Sequence, residues 1–341
     1  MDETKEPMVS ICCITYNHEK YIRDAIEGFL MQKTSFPFEI IIHDDASTDK
    51  TADIIRDYER KYPEIVKPIY QVDNQFSQGK NPFALVYNVA KGKYFALCEG
   101  DDYWIDPHKL QKQIDAMENY LECNICFHPA TTLDEKGTIT PKMINKYPNG
   151  VKIFSTREVI LKGPSFFPTV STVFRSSKIE PLIHPPNWTS KLKGMHTCNT
   201  VFGSLGGGAL FVPDTMAVYR QNAESSFSKK VASNDQFALD WANSVCYCLD
   251  KLNETTNNIY NKEFERVKWR HCMNYLKSIS RPYMYKKTFF ETNKASMPLT
   301  IRLICRLLLY NAFAAFWLII RSPLLLINRG RQHFISHDKH Q

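Results

Sequence analysis

The first 105 residues alternate between apolar runs of strand length and stretches with apolar residues at helical spacing. This pattern predicts strands over 9–15, 38–43, 65–71 and 94–98, and helices over 19–32, 51–62 and 82–90. Strands that alternate with helices form a parallel, doubly wound sheet with helices on both faces. The alternation therefore predicts an α/β, Rossmann-like first half.

Polar clusters follow three of these predicted strands: Thr15-Tyr16-Asn17, Asp44-Asp45 and Glu99-Gly100-Asp101-Asp102. In doubly wound sheets, ligands bind outside the carboxyl ends of the strands. We therefore expect the three clusters to converge on one crevice, although each alone would also fit a polar strand-to-helix loop. Their convergence favours a nucleotide site.

The stretch 99–102 places three carboxylates within four residues. Like charges this close raise one another's pKa, and a divalent cation removes that cost. Mg²⁺ or Mn²⁺ commonly bridges one or two carboxylates to substrate phosphates. The alternative is a solvated acidic turn. Neither GxGxxG nor GxxxxGK[ST] is present, so the cation would have to neutralise a diphosphate in place of a glycine-rich loop.

Composition sets weaker bounds. The 341 residues suggest one large domain or two, and a net charge of +7 is too small to indicate a nucleic-acid partner. The ten cysteines lie largely in apolar runs, and the one CxxC, Cys123–Cys126, falls in a predicted buried strand. Residues 1–7 are polar and acidic, which predicts no signal peptide and a reducing, cytoplasmic location.

Three segments together resemble glycosyltransferase family 2: 9–17 (VSICCITYN), 39–49 (EIIIHDDASTD) and 92–104 (GKYFALCEGDDYW). The resemblance covers about the first 130 residues. It implies a GT-A fold with a mixed sheet and a C-terminal helical extension. It also implies inverting transfer of a hexose from a nucleotide diphosphate sugar, UDP-linked, to a glycan or lipid-linked acceptor, as in bacterial capsule or exopolysaccharide synthesis.

Carried over by position, the resemblance implies roles for individual residues. The implied nucleotide-sugar-binding residues are Thr15, Tyr16, Asn17, Asp45 (which would accept a hydrogen bond from the base), Asp101 and Arg220. The implied ligands of Mn²⁺ or Mg²⁺ are Asp102, Asp101 and Glu99. For Arg220, contact with a phosphate and a structural ion pair both remain open.

Inverting transfer needs a general base. The family's base is an Asp about twenty residues before a segment that resembles 216–222 (MAVYRQN), where Asn222 replaces the usual His. The expected position holds His196, and no Asp or Glu lies between Glu180 and Asp214. His196 is therefore the candidate base, and a structural histidine is the alternative. Asp214 is a weaker candidate.

Two other functions stay open: a nucleotidyltransferase, or a non-catalytic nucleotide-sugar-binding protein.

We expect a glycosyltransferase domain over 1–230, with a nucleotide-binding half at 1–105 and an acceptor half at 106–230 that includes a strand near 166–174. A helical appendage would follow at 231–295. The segment 296–341 is apolar and basic, and its longest uncharged run, 307–320, has 14 residues. A helix that spans a bilayer needs about 20 apolar residues. We therefore expect this segment to form a helix that lies on the inner face of the plasma membrane. The alternative is a helix that is buried in the protein core.

Overall fold

The computed structural model describes residues 6–133, 137–143, 145–221, 223, 226–278 and 280–309. The chain divides into two compact units, Met1–Lys268 and Trp269–Gln341. This division into compact units does not locate the boundary between a nucleotide-binding half and an acceptor half. The domain boundaries expected from the sequence therefore stay predictions.

The first unit contains two sheets. Its strands are β1 Val9–Thr15, β2 Phe38–Asp44, β3 Val66–Tyr70, β4 Tyr94–Glu99, β5 Tyr103–Trp104, β6 Ile125–Phe127, β7 Ala130–Leu133, β8 Ile139–Met143, β9 Lys152–Phe154, β10 Val173–Arg175, β11 Ala209–Phe211 and β12 Ala217–Tyr219. The described helices are α1 Ile22–Leu30, α2 Thr51–Lys61, α3 Pro82–Tyr87, α4 Lys109–Asn119, α5 Thr156–Lys162, α6 Glu180–Ile183, α7 His196–Ser204, α8 Phe227–Ser233, α9 Asp235–Thr255, α10 Asn261–Lys277 and α11 Tyr283–Asn293.

The larger sheet has the order β3-β2-β1-β4-β10-β6-β11-β9. Strand β1 runs parallel to β2 and β4, whereas β10 runs antiparallel to β4 and β6. The register pairs Thr15 with Asp44 and Ile14 with Glu99. The ends of β1, β2 and β4 are therefore level, and the predicted mixed α/β fold is confirmed.

The smaller sheet has the order β5-β12-β7-β8. Strand β12 pairs antiparallel with β5, with Ala217 opposite Trp104 and Val218 opposite Tyr103. This pairing joins the loop that follows β4 to residues more than 100 positions later in the chain.

A buried carboxylate fastens the amino ends of the central strands. Glu39 accepts hydrogen bonds from Ser10 Oγ at 2.7 Å and from the Lys91 N–H at 2.9 Å, and Lys67 Nζ lies 2.8 Å away. Gly92 donates its N–H to Ser10 Oγ at 2.8 Å, and a Cβ on Gly92 would lie 2.4 Å from the Ser10 nitrogen. Only glycine fits this close approach of two backbones.

The predicted strand at 166–174 is wrong over most of its length. This segment holds two 3₁₀ turns, Pro164–Phe166 and Thr169–Ser171, and only its last two residues belong to β10. Pro164 and Pro168 explain the difference, because proline has no N–H to donate to a ladder and fixes φ near the helical value.

In the second unit, residues 299–309 are helical. Among the described residues, no helix is both long enough and apolar enough to cross a membrane. Most of the predicted membrane-associating segment, 310–341, lies outside the described residues, so its prediction is not tested there.

Candidate active site

The loop after β1 is bonded to the loop after β2. Asn17 adopts a positive φ of 56° and donates its N–H to Ser47 Oγ at 2.9 Å. Its side-chain oxygen accepts the Thr48 N–H at 2.8 Å, and the Asp45 N–H donates to the Thr15 carbonyl at 3.0 Å. Two of the predicted polar clusters therefore meet at one edge of the sheet, with Tyr16 partly buried between Thr15 and Asn17.

The Asp45 carboxylate is buried and holds the loop that follows β3. Its two oxygens accept the N–H groups of Gln75 at 2.7 Å and Phe76 at 3.1 Å. Each carboxylate oxygen has a second lone pair, so these bonds leave capacity for a ligand donor. Reading of a base by Asp45 remains a prediction.

The acidic loop, residues 99–102, lies directly against the end of β1. Gly100 donates its N–H to the Ile14 carbonyl at 2.8 Å. A Cβ on Gly100 would lie 2.6 Å from Thr15 Oγ1 and 3.1 Å from His18 Nδ1. Glycine thus allows the loop to contact the β1 end, and all three predicted clusters come together.

Arg220, just after β12, contacts this loop through its backbone and its side chain. Its N–H donates to Asp102 Oδ1 at 2.8 Å, and Nη1 donates to the Asp101 carbonyl at 2.8 Å. Nη2 forms an ion pair with Asp24 of α1. The guanidinium carbon lies 4.5 Å from the centre of the Tyr103 ring and 5.1 Å from that of Tyr21. The structural ion pair that the sequence left open is present.

Burial and repulsion from neighbouring charge disfavour the charged forms of Glu99 and Asp102. Burial, followed by the negative charge of Asp101, raises the pKa of Glu99 to about 8, although a hydrogen bond from the Thr169 side chain opposes the shift. The same two causes raise the pKa of Asp102 well above its ordinary value. A bound cation would reverse this preference.

The acidic loop fits a cation that is shared with a substrate. Asp102 Oδ1 is bonded to Arg220, whereas Asp102 Oδ2 is buried and has no protein partner. In the part of the chain that the structure describes, no three His, Cys, Asp or Glu side chains are grouped closely enough to hold a metal by themselves. Carboxylate oxygens suit Mg²⁺ or Mn²⁺, which usually take their remaining ligands from phosphates and water.

His196 is the first residue of α7 and contacts Phe167, two residues before the Thr169 that is hydrogen-bonded to Glu99. Its Nε2 is 2.9 Å from the Phe167 carbonyl, so Nε2 carries the proton and donates it in this bond. Burial lowers the pKa of His196, which favours a neutral ring with Nδ1 as an acceptor. Asp214 is exposed and pairs with Lys112 at 3.0 Å, and Asn222 lies outside the described residues.

Residues 10–181, about half of the chain, match the family model Glycosyl transferase family 2. The chain belongs to glycosyltransferase family 2. A Mycobacterium bovis protein described as uncharacterized is 36% identical over 67% of this chain and 63% of its own length. The chain thus spans less than two thirds of this relative.

Two further proteins are similar to this chain. The putative teichuronic acid biosynthesis glycosyltransferase TuaG of Bacillus subtilis is 35% identical over 41% of this chain and 53% of its own length. The mannosyltransferase PcManGT of Pyrobaculum calidifontis, solved in complex with GDP-Man and Mn²⁺, is 14% identical with a TM-score of 0.50. That likeness covers 93% of this chain and 81% of PcManGT, and it supports the GT-A fold.

Sequence reasoning missed Asp24 and Thr169 in the candidate site. Asp24 is 196 positions from Arg220 in the chain, and no local pattern signals a pair that distant. Thr169 lies in the segment that was predicted as a strand. The register of β12 against β5 brings Arg220 to the acidic loop, and that register is not visible in the sequence.

Proposed function

We propose that this glycosyltransferase is a hexosyltransferase that acts with inversion on a nucleoside diphosphate sugar, UDP-linked. The acceptor would be a hydroxyl of a glycan or lipid-linked glycan in cell-surface polysaccharide synthesis. The observation that carries the proposal is Asp102, whose Oδ1 is fixed by the backbone of Arg220 while Oδ2 is buried without a protein partner. The name of TuaG supports the choice of pathway.

In this proposal each part of the site has one task. Thr15, Tyr16 and Asn17 line the nucleoside pocket, and Asp45 accepts a hydrogen bond from the base. Asp102, with Asp101 and Glu99, would hold Mn²⁺ or Mg²⁺. When bound, the cation supplies positive charge that stabilises the departing diphosphate. The Mn²⁺ in the PcManGT complex supports the choice of metal.

His196 would act as the general base. With Nε2–H donating to the Phe167 carbonyl, Nδ1 can take the proton of the acceptor hydroxyl. The carbonyl bond would also orient the ring and support the imidazolium that forms, as the orienting group of a catalytic histidine does. The lowered pKa of His196 keeps the ring neutral, and therefore competent as a base, at neutral pH.

A panel of nucleotides tests the donor site. Of UDP, GDP and dTDP, we expect UDP to raise the Tm in MnCl₂ and to have no effect in EDTA, because a ligand at 100 times its Kd adds about 2.7 kcal/mol. Asp102→Asn should abolish this Tm shift. Asp214→Asn is the control and should retain the shift, because Asp214 is an exposed carboxylate that pairs with Lys112. A larger shift with GDP or dTDP than with UDP would contradict the UDP-linked donor, and no shift with any of the three would contradict the donor site itself.

Turnover tests the base. His196→Ala should lower sugar transfer or metal-dependent donor hydrolysis by about a hundredfold or more, the size of a general-base contribution, while nucleotide affinity stays unchanged. His184→Ala is a matched control, because His184 is an exposed histidine at the end of α6. Near-normal turnover in the His196 variant would remove it from this role. If the wild-type protein binds donor without any turnover, a non-catalytic binding protein is the better description.

We also propose peripheral association with the inner face of the plasma membrane. On the helical residues 299–309, the side chains of Leu299, Leu303 and Leu307 share one face and are exposed. Arg306 is exposed on the same helix and can meet anionic lipid headgroups. An acceptor carried on a lipid would place the substrate at this surface.

A further inference from the structure

Asp24 lies at the donor site without belonging to any of the three polar clusters. It occupies the first turn of α1 and pairs with Arg220 Nη2. Its side chain is 53% exposed, whereas that of Arg220 is only 11% exposed. Tyr21, three residues earlier, presents its ring to the same guanidinium. The start of α1 therefore provides both a carboxylate and an aromatic face for one arginine.

Arg220 is in turn the residue that fixes the acidic loop. Its backbone N–H binds Asp102 Oδ1, and its Nη1 binds the Asp101 carbonyl. The guanidinium lies over the Tyr103 ring, which continues the same loop. The position of this guanidinium thus determines how the backbone of the acidic loop is held. It also determines how much positive charge lies near the carboxylates of the loop.

Asp24 is the one carboxylate side chain with which the described structure pairs this guanidinium. If Asp24 were neutral, the guanidinium would remain bonded to the acidic loop, whose Asp102 carboxylate already experiences its positive charge. An arginine is always charged and binds carboxylates with two parallel donors. It would then compete with a divalent cation for the same oxygens.

We propose that Asp24 is a positioning residue for the transfer reaction. By holding the Arg220 guanidinium between Tyr21 and Tyr103, it keeps that charge off the carboxylates of the acidic loop and leaves Asp102 Oδ2 to the divalent cation. This inference rests on the proposed metal-dependent donor site. It assigns Asp24 no contact with donor or acceptor.

The test measures Mn²⁺ affinity from the electron paramagnetic resonance signal of free Mn²⁺. The protein is saturated with the nucleotide, among UDP, GDP and dTDP, that stabilises the wild type most. Asp24→Asn should weaken Mn²⁺ binding about tenfold, a size that is common for directly coupled neighbours. Asp24→Glu should restore it to within about twofold by the same measure. Asp53→Asn is the matched control. Like Asp24, Asp53 is a carboxylate in the first turn of a helix and pairs with an arginine, but this arginine, Arg56, is exposed and makes no described contact with the acidic loop.

A second variant separates competition from simple loss of structure. In Asp24→Asn combined with Arg220→Met, the competing charge is gone while the backbone N–H to Asp102 remains. We expect Mn²⁺ affinity above that of Asp24→Asn alone. Equal or weaker affinity in the double variant, or wild-type affinity in Asp24→Asn, overturns the inference. A wild-type protein that shows no Mn²⁺-dependent nucleotide binding overturns the proposed function, and this inference with it.

Discussion

Lys109 is a buried cation that lies close to the acidic loop and outside the proposed chemistry. Its side chain is fully buried, its Nζ donates to Gln113 Oε1 at 2.7 Å, and the Trp104 ring centre is 3.9 Å away. Burial lowers its pKa to about 7, against a small opposing effect of Cys98 and Cys126. The protein therefore maintains an amine whose charge changes near neutral pH inside its core.

This pKa shift predicts how stability depends on pH. The unfolded chain binds the lysine proton more tightly, so the folded state gains stability as pH rises from about 7 towards the ordinary lysine value. Lys109→Met removes this contribution. The free energy of unfolding of the variant minus that of the wild type should therefore fall by about 1.4 kcal/mol per pH unit between pH 7 and 9.5.

Urea unfolding at pH 7, 8 and 9 measures this difference. Loss of the bond to Gln113 and the change in packing shift all three values equally, so the slope with pH isolates the charge. Lys33→Met, at an exposed lysine, is the control and should show a difference that does not vary with pH in this way. A difference for Lys109→Met that is constant with pH would show that the amine is not perturbed in the folded protein.

At the scale of elements, hydrophobic periodicity was sufficient to predict strands β1, β2 and β4. The predicted strand 9–15 coincides with β1, and the strands predicted at 38–43 and 94–98 each end one residue before the observed ends of β2 and β4. These strands are central and buried, so apolar side chains form most of each strand and the length of the apolar run is close to the length of the strand. The three polar clusters could be predicted for the same reason, since each directly follows such a strand.

The rest of the site depends on contacts between distant segments, and the sequence did not predict it. For Arg220 the sequence left a phosphate contact and a structural ion pair open, and it could not indicate Asp24 or the Asp101 carbonyl as the partners of the guanidinium. This arrangement arises from the pairing of β12 with β5, two strands of two and three residues. Strands this short carry too few residues for a periodic signal. The turn at Thr169–Ser171 was hidden by apolar residues that resemble a strand.

At the scale of the whole molecule, the donor site and the candidate membrane surface belong to different units. Every site residue named above lies in the first unit, within Met1–Lys268, and the helical residues 299–309 lie in the second. On that helix Cys305 and Leu309 are buried, whereas Leu299, Leu303 and Leu307 are 68%, 51% and 61% exposed. Spacing of four residues places these three leucines on one face.

This separation predicts that membrane binding can be removed without loss of donor binding. A chain that ends after Ser296, and a full chain with Leu299, Leu303 and Leu307 changed to Gln, should both stop floating with vesicles of phosphatidylglycerol and phosphatidylcholine. Each should retain the Mn²⁺-dependent Tm shift of the wild type with the same nucleotide. The full-length protein should bind less as salt rises, because part of its attraction to anionic lipid is electrostatic and is screened over about 8 Å at 0.15 M ionic strength.

The matched control changes Val72 and Leu121 to Gln, because both are exposed apolar side chains of the first unit. This variant should float like the wild type if the leucine face, and not exposed apolar area in general, makes the contact. Flotation that survives in the triple variant but not in the truncated chain would assign the contact to residues 310–341 instead. Flotation that survives in both would contradict membrane association through the C-terminal segment, because neither variant retains the apolar face at 299–307.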